Sequence, residues 1–135
     1  MPVSSVLIDD REPLQLALAV EAYGHEVEFT RLHAGDFQGK TIIGEIKRGD
    51  DLFNSIIDGR LVRQAQNMAN TGKTGFLILA GNMADTRCRL EPVIRTLVNL
   101  VFEYHFFIIP VMNVEVTIAY VIHRVLTDID FKSNL

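Results

Sequence analysis

Apolar and polar positions alternate along this chain in two periods, and the switches between them mark out strands and helices. Val6-Leu7-Ile8 is a short apolar run that ends in charge, as a buried strand does. Pro13 suits a helix start, and Leu14, Leu16, Ala17 and Val20 carry the helix to a stop at Gly24. Val27 and Phe29 alternate with Glu26, Glu28 and Thr30, which predicts a half-buried strand. Gly39-Lys40 is a hairpin turn leading into a strand over 41–47. Asp50 or Asp51 can cap a helix through Leu52, Phe53, Ile56 and Ile57; Gly59 interrupts it, and a second helix runs from about 60 to 70. Strands follow at 76–79 and 106–109, with helices at 92–104 and 113–127.

Strands alternating with crossover helices predict an α/β fold, a mixed sheet flanked by helices. At 135 residues the chain is expected to form one domain over 1–135. A composition 48% hydrophobic and 22% charged excludes a disordered chain. Cys88 is the only cysteine, which excludes an internal disulfide and a multi-cysteine zinc site. No leader-like segment precedes Asp9-Asp10-Arg11-Glu12, and no apolar run approaches the ~20 residues of a membrane helix. The expectation is an intracellular protein with no membrane partner, in the cytoplasm or nucleoid of a prokaryote or the nucleus of a eukaryote.

The net charge of −4 speaks at first against a nucleic-acid partner. Its distribution weakens that objection. Asp9, Asp10, Glu12, Asp36, Glu45, Asp50 and Asp51 cluster in or beside three short motifs, and setting them aside leaves 13 bases against 10 acids.

The chemistry is centred on Glu45-Ile46-Lys47. Strand side chains alternate, so Glu45 and Lys47 share one face while Ile46 turns to the other. Asp36 lies across the predicted hairpin, where antiparallel pairing can bring it beside Glu45. Two converging carboxylates with hard oxygen donors suit Mg²⁺. Taken alone the pattern is weak, because Gly-Asp is commonly a turn and Glu-x-Lys commonly a solvated face.

Longer strings add to it. Ile8-Asp9-Asp10-Arg11-Glu12, Gly35-Asp36-Phe37 and Glu45-Ile46-Lys47-Arg48-Gly49-Asp50-Asp51-Leu52 resemble, in order, three motifs of the XPF family of structure-specific DNA endonucleases. Ser55-Ile56-Ile57-Asp58-Gly59-Arg60-Leu61, then Gln64, resembles the helical segment that follows, in archaeal Hef nucleases especially. The resemblance implies a restriction-endonuclease-like nuclease fold. It also implies an active centre of Asp9, Asp36, Glu45, Lys47 and Asp51, with Arg11 and Glu12 beside it. Asp36 and Glu45 would be the main metal ligands with Asp9 a further one, Mg²⁺ the cofactor, and Mn²⁺ able to substitute.

The expected activity is hydrolysis of phosphodiester bonds in branched DNA (forks, flaps, junctions) during repair or replication-fork processing. The alternative is a catalytically weak or inactive subunit that scaffolds a partner nuclease or helicase. One departure stands out: the family's central arginine is Ile46 here, which strand alternation sends to the core.

Arg60, Arg63 and Lys73 are candidate DNA contacts. His25, His33, His105 and His123 lack ligand-like spacing and are expected to be structural or at the surface. The helices over 92–104 and 113–127 are apolar beyond one face, so a homodimer through them is expected. No helix-hairpin-helix or helicase segment is recognisable, and either is a possible partner.

Overall fold

The computed structural model describes residues 4–81 and 90–130. Its sheet has six strands: β1 (Ser5–Asp9), β2 (Glu26–Thr30), β3 (Phe37–Gln38), β4 (Ile42–Arg48), β5 (Thr74–Ala80) and β6 (Phe107–Val111). The helices are α1 (Leu14–Glu21), α2 (Asp51–Ile57), α3 (Arg60–Ala69), α4 (Leu90–Phe102) and α5 (Glu115–Val125). A single π-helical turn, Leu126–Asp130, continues α5. The strand order is β2-β1-β3-β4-β5-β6. β3 runs antiparallel to β1 and β4, and the remaining pairs are parallel, so the sheet is mixed.

Period-two alternation splits β4 between two cores. Ile42 and Ile46 face the cluster built with Leu16 and Val20 of α1 and Ile118 and Ile122 of α5. Ile43 faces the other cluster, with Leu52 of α2, Leu61 and Met68 of α3, and Leu97 of α4. Ile46 is buried, as expected of an apolar residue on the face opposite Glu45 and Lys47.

Two predicted elements shift for identifiable reasons. The strand expected over 106–109 is β6, which extends through Pro110 to Val111. Proline is tolerated there because β6 is an edge strand and needs no donor on its free side. Asp51 is the first residue of α2, and Asp50 stands at its N-cap position without a side-chain cap hydrogen bond. Carboxylate capping of this helix is therefore absent. Cys88 lies outside the described residues.

No helix among the described residues is long and apolar enough to cross a membrane. The apolar surplus is smaller on α5 than its sequence suggests, since Ala119 and Leu126 join the core. Val114, Val116 and Tyr120 remain exposed, as do Ile94, Val98, Val101 and Phe102 of α4.

Candidate active site

The turn from β3 into β4 brings Asp36 against Glu45. Phe37 pairs with Gly44 and Gln38 with Ile43, so the residue before β3 faces the residue after Gly44. The Asp36 N–H donates to the Gly44 carbonyl at 2.7 Å, and the Asp36 carboxylate accepts the Ile46 N–H at 2.7 Å. Gly35 makes the approach possible. Its φ is +72°, and a Cβ there would sit 2.7 Å from Ile43 Cγ1.

The sequence places Glu45 and Lys47 on one face, and they form a buried ion pair. Lys47 Nζ lies 3.3 Å from Glu45 Oε1 and 3.7 Å from Asp51 Oδ2. Both side chains of the first pair are nearly inaccessible, at 3% and 6% exposure. Asp51 is half exposed and also takes Arg60 Nη2 at 3.0 Å.

Asp36 and Glu45 stand side by side across the β3–β4 pairing, on the wall of one cavity. Burial pushes both carboxyls up from the ordinary carboxylate range; the charge of Glu45 adds to the shift at Asp36, and Lys47 opposes it at Glu45. Two adjacent buried carboxylates repel each other when both are ionised, and a divalent cation between them would relieve that repulsion.

That donor set fits a hard divalent cation. Mg²⁺ is commonly held by one or two carboxylates and keeps several waters. Asp36 and Glu45 supply the carboxylates on the wall of a cavity of about 410 Å³, also lined by Lys47 and Asp51. Among the described residues, no three His, Cys, Asp or Glu side chains form a ready-made ligand cluster.

Asp9 adjoins Asp36, its N–H donating to the Asp36 carbonyl at 2.9 Å, but its carboxylate is engaged elsewhere. Its Oδ1 accepts the Arg11 backbone N–H and Nε–H, both at 2.8 Å. Its Oδ2 accepts Arg11 Nη2 at 2.7 Å and the Leu32 N–H at 3.0 Å. With four donors on it, the Asp9 carboxylate is held well below its usual pKa, chiefly by the Arg11 side chain. A carboxylate has about four acceptor positions. Asp9 must give one up to ligate a metal.

Glu12 lines the same cavity and pairs with Arg48 at 3.0 Å. Burial, reinforced by the charge of Asp36, pushes its carboxyl up to about 7. Arg48 also reaches Glu115 of α5 at 3.1 Å. The cavity wall is completed by Arg60 and Gln64.

The other two DNA-contact candidates lie elsewhere. Arg63 donates to the Asp58 carbonyl at 3.3 Å on the surface. Lys73 is bound to the Gln38 side chain and the Gly39 carbonyl and borders a separate cavity with Tyr104 and His105.

Sequence reasoning left three features unassigned. Arg48 enters the cavity wall from the end of β4, although its parity matches that of Ile46. Its partner Glu115 carried no signal beyond being acidic at a helix start. Finally, His25 Nε2 and His123 Nδ1 meet at 2.8 Å across 98 residues, and the other nitrogen of His25 bonds Ser4 Oγ. This last cluster lies outside the cavity and fits the structural role expected of the histidines.

A family model described as the ERCC4 domain matches residues 8–123. The solved structure of XPF from Aeropyrum pernix matches with a TM-score of 0.79 at 27% identity, covering 95% of this chain and 69% of that one. A structure of XPF from the same organism in complex with DNA matches with a TM-score of 0.82 at 27% identity, covering 96% of this chain and 66% of that one. The fold is thus of the restriction-endonuclease-like type of the XPF nuclease domain. No curated protein matches the chain.

Proposed function

The chain belongs to the ERCC4 domain family of nuclease domains, typically metal-dependent endonucleases, and from that premise we propose that it hydrolyses phosphodiester bonds in branched DNA. The observation that carries the reading is the buried Asp36–Glu45 pair with Lys47 beside it at one cavity wall. A similar protein, XPF from Aeropyrum pernix, has been crystallised with DNA. The chain spans about two thirds of that protein, so the activity on forks, flaps or junctions is part of the proposal.

In this reading Asp36 and Glu45 hold Mg²⁺, with Mn²⁺ able to replace it. Bound there, the ion supplies Lewis acidity toward a water and a phosphate oxygen. The chain's own groups do the rest. Lys47, held by Glu45 and Asp51, points a fixed positive charge at the phosphate as negative charge develops on it. Glu12, with its raised pKa, stands at the cavity as a group able to carry a proton near neutrality. Asp9 and Arg11 support the loop that follows β1, and Asp51 anchors Lys47 to the start of α2.

A second reading, a quiet subunit that scaffolds a nuclease or helicase, draws on the saturation of Asp9 by Arg11 and Leu32. Labelled fork, flap and linear DNA, incubated with Mg²⁺, Mn²⁺ or EDTA, separates the two. Wild type is expected to cut branched substrates only with metal, and Glu45→Gln to lose at least about a hundredfold in rate. No metal-dependent cutting of any branched substrate would leave the scaffold as the function. A homodimer through α4 and α5 belongs to the same proposal, as does recruitment of a helix-hairpin-helix or helicase partner.

A further inference from the structure

We propose that Arg48 is a substrate-binding residue of this site, gripping a backbone phosphate of the nucleic acid in the place where Glu115 now holds it. The proposal rests on the endonuclease reading and extends it to a residue on the opposite strand face from Glu45 and Lys47.

Three observations carry it. First, Arg48 lines the cavity that holds Asp36, Glu45 and Lys47. Second, its guanidinium has five N–H donors, and the contacts to Glu12 and Glu115 occupy one on each terminal nitrogen. Its Nε is buried without an acceptor among the described residues, while the side chain as a whole keeps 24% exposure. Such a group holds donor capacity that its present partners do not use. Third, Arg60, on the same cavity wall, also has its Nε buried without an acceptor among the described residues. Two arginines with donors left over by their present partners, on one cavity wall, suit an occupant with acceptor oxygens.

Charge identifies the occupant. The cavity wall carries the acids Glu12, Asp36, Glu45 and Asp51 against the bases Lys47, Arg48 and Arg60. A divalent cation on the Asp36–Glu45 pair turns this excess of one negative charge into an excess of one positive charge. The complement is then an anion with several acceptor oxygens. A phosphodiester matches the planar guanidinium fork, which binds two oxygens at once. Glu115 is partly exposed, on the first turn of α5, and lies 3.1 Å from Arg48 Nη2. Its carboxylate stands where one phosphate edge would bind. Glu12, more deeply buried, keeps its hold on Nη1 and orients the fork.

Steady-state cleavage of a branched DNA, measured across a salt series with Mg²⁺, tests this on the whole chain. Arg48→Gln is expected to raise KM by about tenfold to a hundredfold with a smaller effect on kcat. It should also reduce the slope of log affinity against log salt by roughly 0.7–0.9, the loss of one phosphate contact. Arg48→Lys preserves the charge between Glu12 and Glu115, and hence the fold, but lacks the fork; its KM should rise by about three- to tenfold. Glu115→Gln removes the competing carboxylate and should leave KM unchanged or lower it.

A merely structural Arg48 gives a different pattern, because the arginine and its partner would then matter equally. Matching KM increases in Arg48→Gln and Glu115→Gln, or a wild-type KM and salt slope in Arg48→Gln, would overturn the assignment while leaving the endonuclease reading intact. A wild type that cuts no branched DNA overturns both.

Discussion

At the scale of single residues, the least comfortable group in the metal-free protein is Asp36. It is buried against Glu45, accepts one backbone N–H from Ile46, and can keep its charge only at the expense of its neighbour. Asp36→Asn keeps an oxygen for the Ile46 N–H and removes the like charge. The variant is therefore expected to melt about 3–8 °C higher than wild type at pH 7.5 without metal. Wild type, in turn, is expected to gain stability from millimolar Mg²⁺ or Mn²⁺, and Asp36→Asn to gain little. Differential scanning calorimetry with and without metal measures both. Equal metal stabilisation of the two proteins would remove Asp36 from the ligand set. This corner of the site was partly legible in the sequence, because Glu45, Ile46 and Lys47 obey strict strand alternation. The engagement of Asp9 was not, since it depends on how Arg11 folds back and on the Leu32 N–H arriving from a separate loop.

At the scale of elements, the hairpin from β3 to β4 sets the spacing of the carboxylates, and Gly44 sets the hairpin. A Cβ on Gly44 would fall 1.9 Å from Phe37 Cζ, inside the ring of a fully buried side chain. Gly44→Ala must therefore push Phe37 out of the α1–α5 core or separate β3 from β4. We expect a loss of about 1–3 kcal/mol or more in urea unfolding, and a fall in cleavage larger than stability alone explains, because Asp36 hangs from the Gly44 carbonyl. Phe37→Leu should recover part of the loss in the double variant, as contacting positions couple. Additive effects would place the strain elsewhere.

A second join between elements lies at the far face, where His25, just before β2, meets His123 of α5. Tyr23 stacks on His123 with ring centroids 4.3 Å apart. Burial, then the neighbouring His123, lowers the pKa of His25 below its ordinary 6.5. Above that value the histidine is neutral whether the chain is folded or unfolded. Below it the unfolded chain takes up a proton that the folded chain resists, so stability falls as pH drops. Glu12, Asp36 and Glu45, raised by burial, act in the opposite sense, and the useful quantity is a difference. The melting advantage of wild type over His25→Gln should shrink between pH 7.5 and pH 5. A constant gap would exclude this pair as a titrating clasp. Nothing local in the sequence announces it, since the two rings are 98 residues apart. The same holds for Arg48 and Glu115, which meet across 67 residues.

At the scale of the whole molecule, exposed apolar side chains occur on both late helices and on β6. Ile94, Val98 and Phe102 come from α4, Phe107 from β6, and Val116 and Tyr120 from α5. The helices pack on opposite sheet faces, and between them β6 is an edge strand among the described residues. Pro110 removes an N–H from that edge and disfavours simple strand addition, so the surface calls for side-chain packing. A second copy of the chain supplies the same apolar residues, and a two-fold contact would cover both patches at once. We expect light scattering to give a dimeric mass, and the pair Phe102→Asp and Val116→Asp to give a monomer with an unchanged circular dichroism spectrum. Both positions are exposed at 77% and 68%, so charge there disturbs association and leaves the core intact. A wild-type mass that remains monomeric at every concentration tested would assign this face to a different protein. In that case the two aspartates should change neither mass nor cleavage.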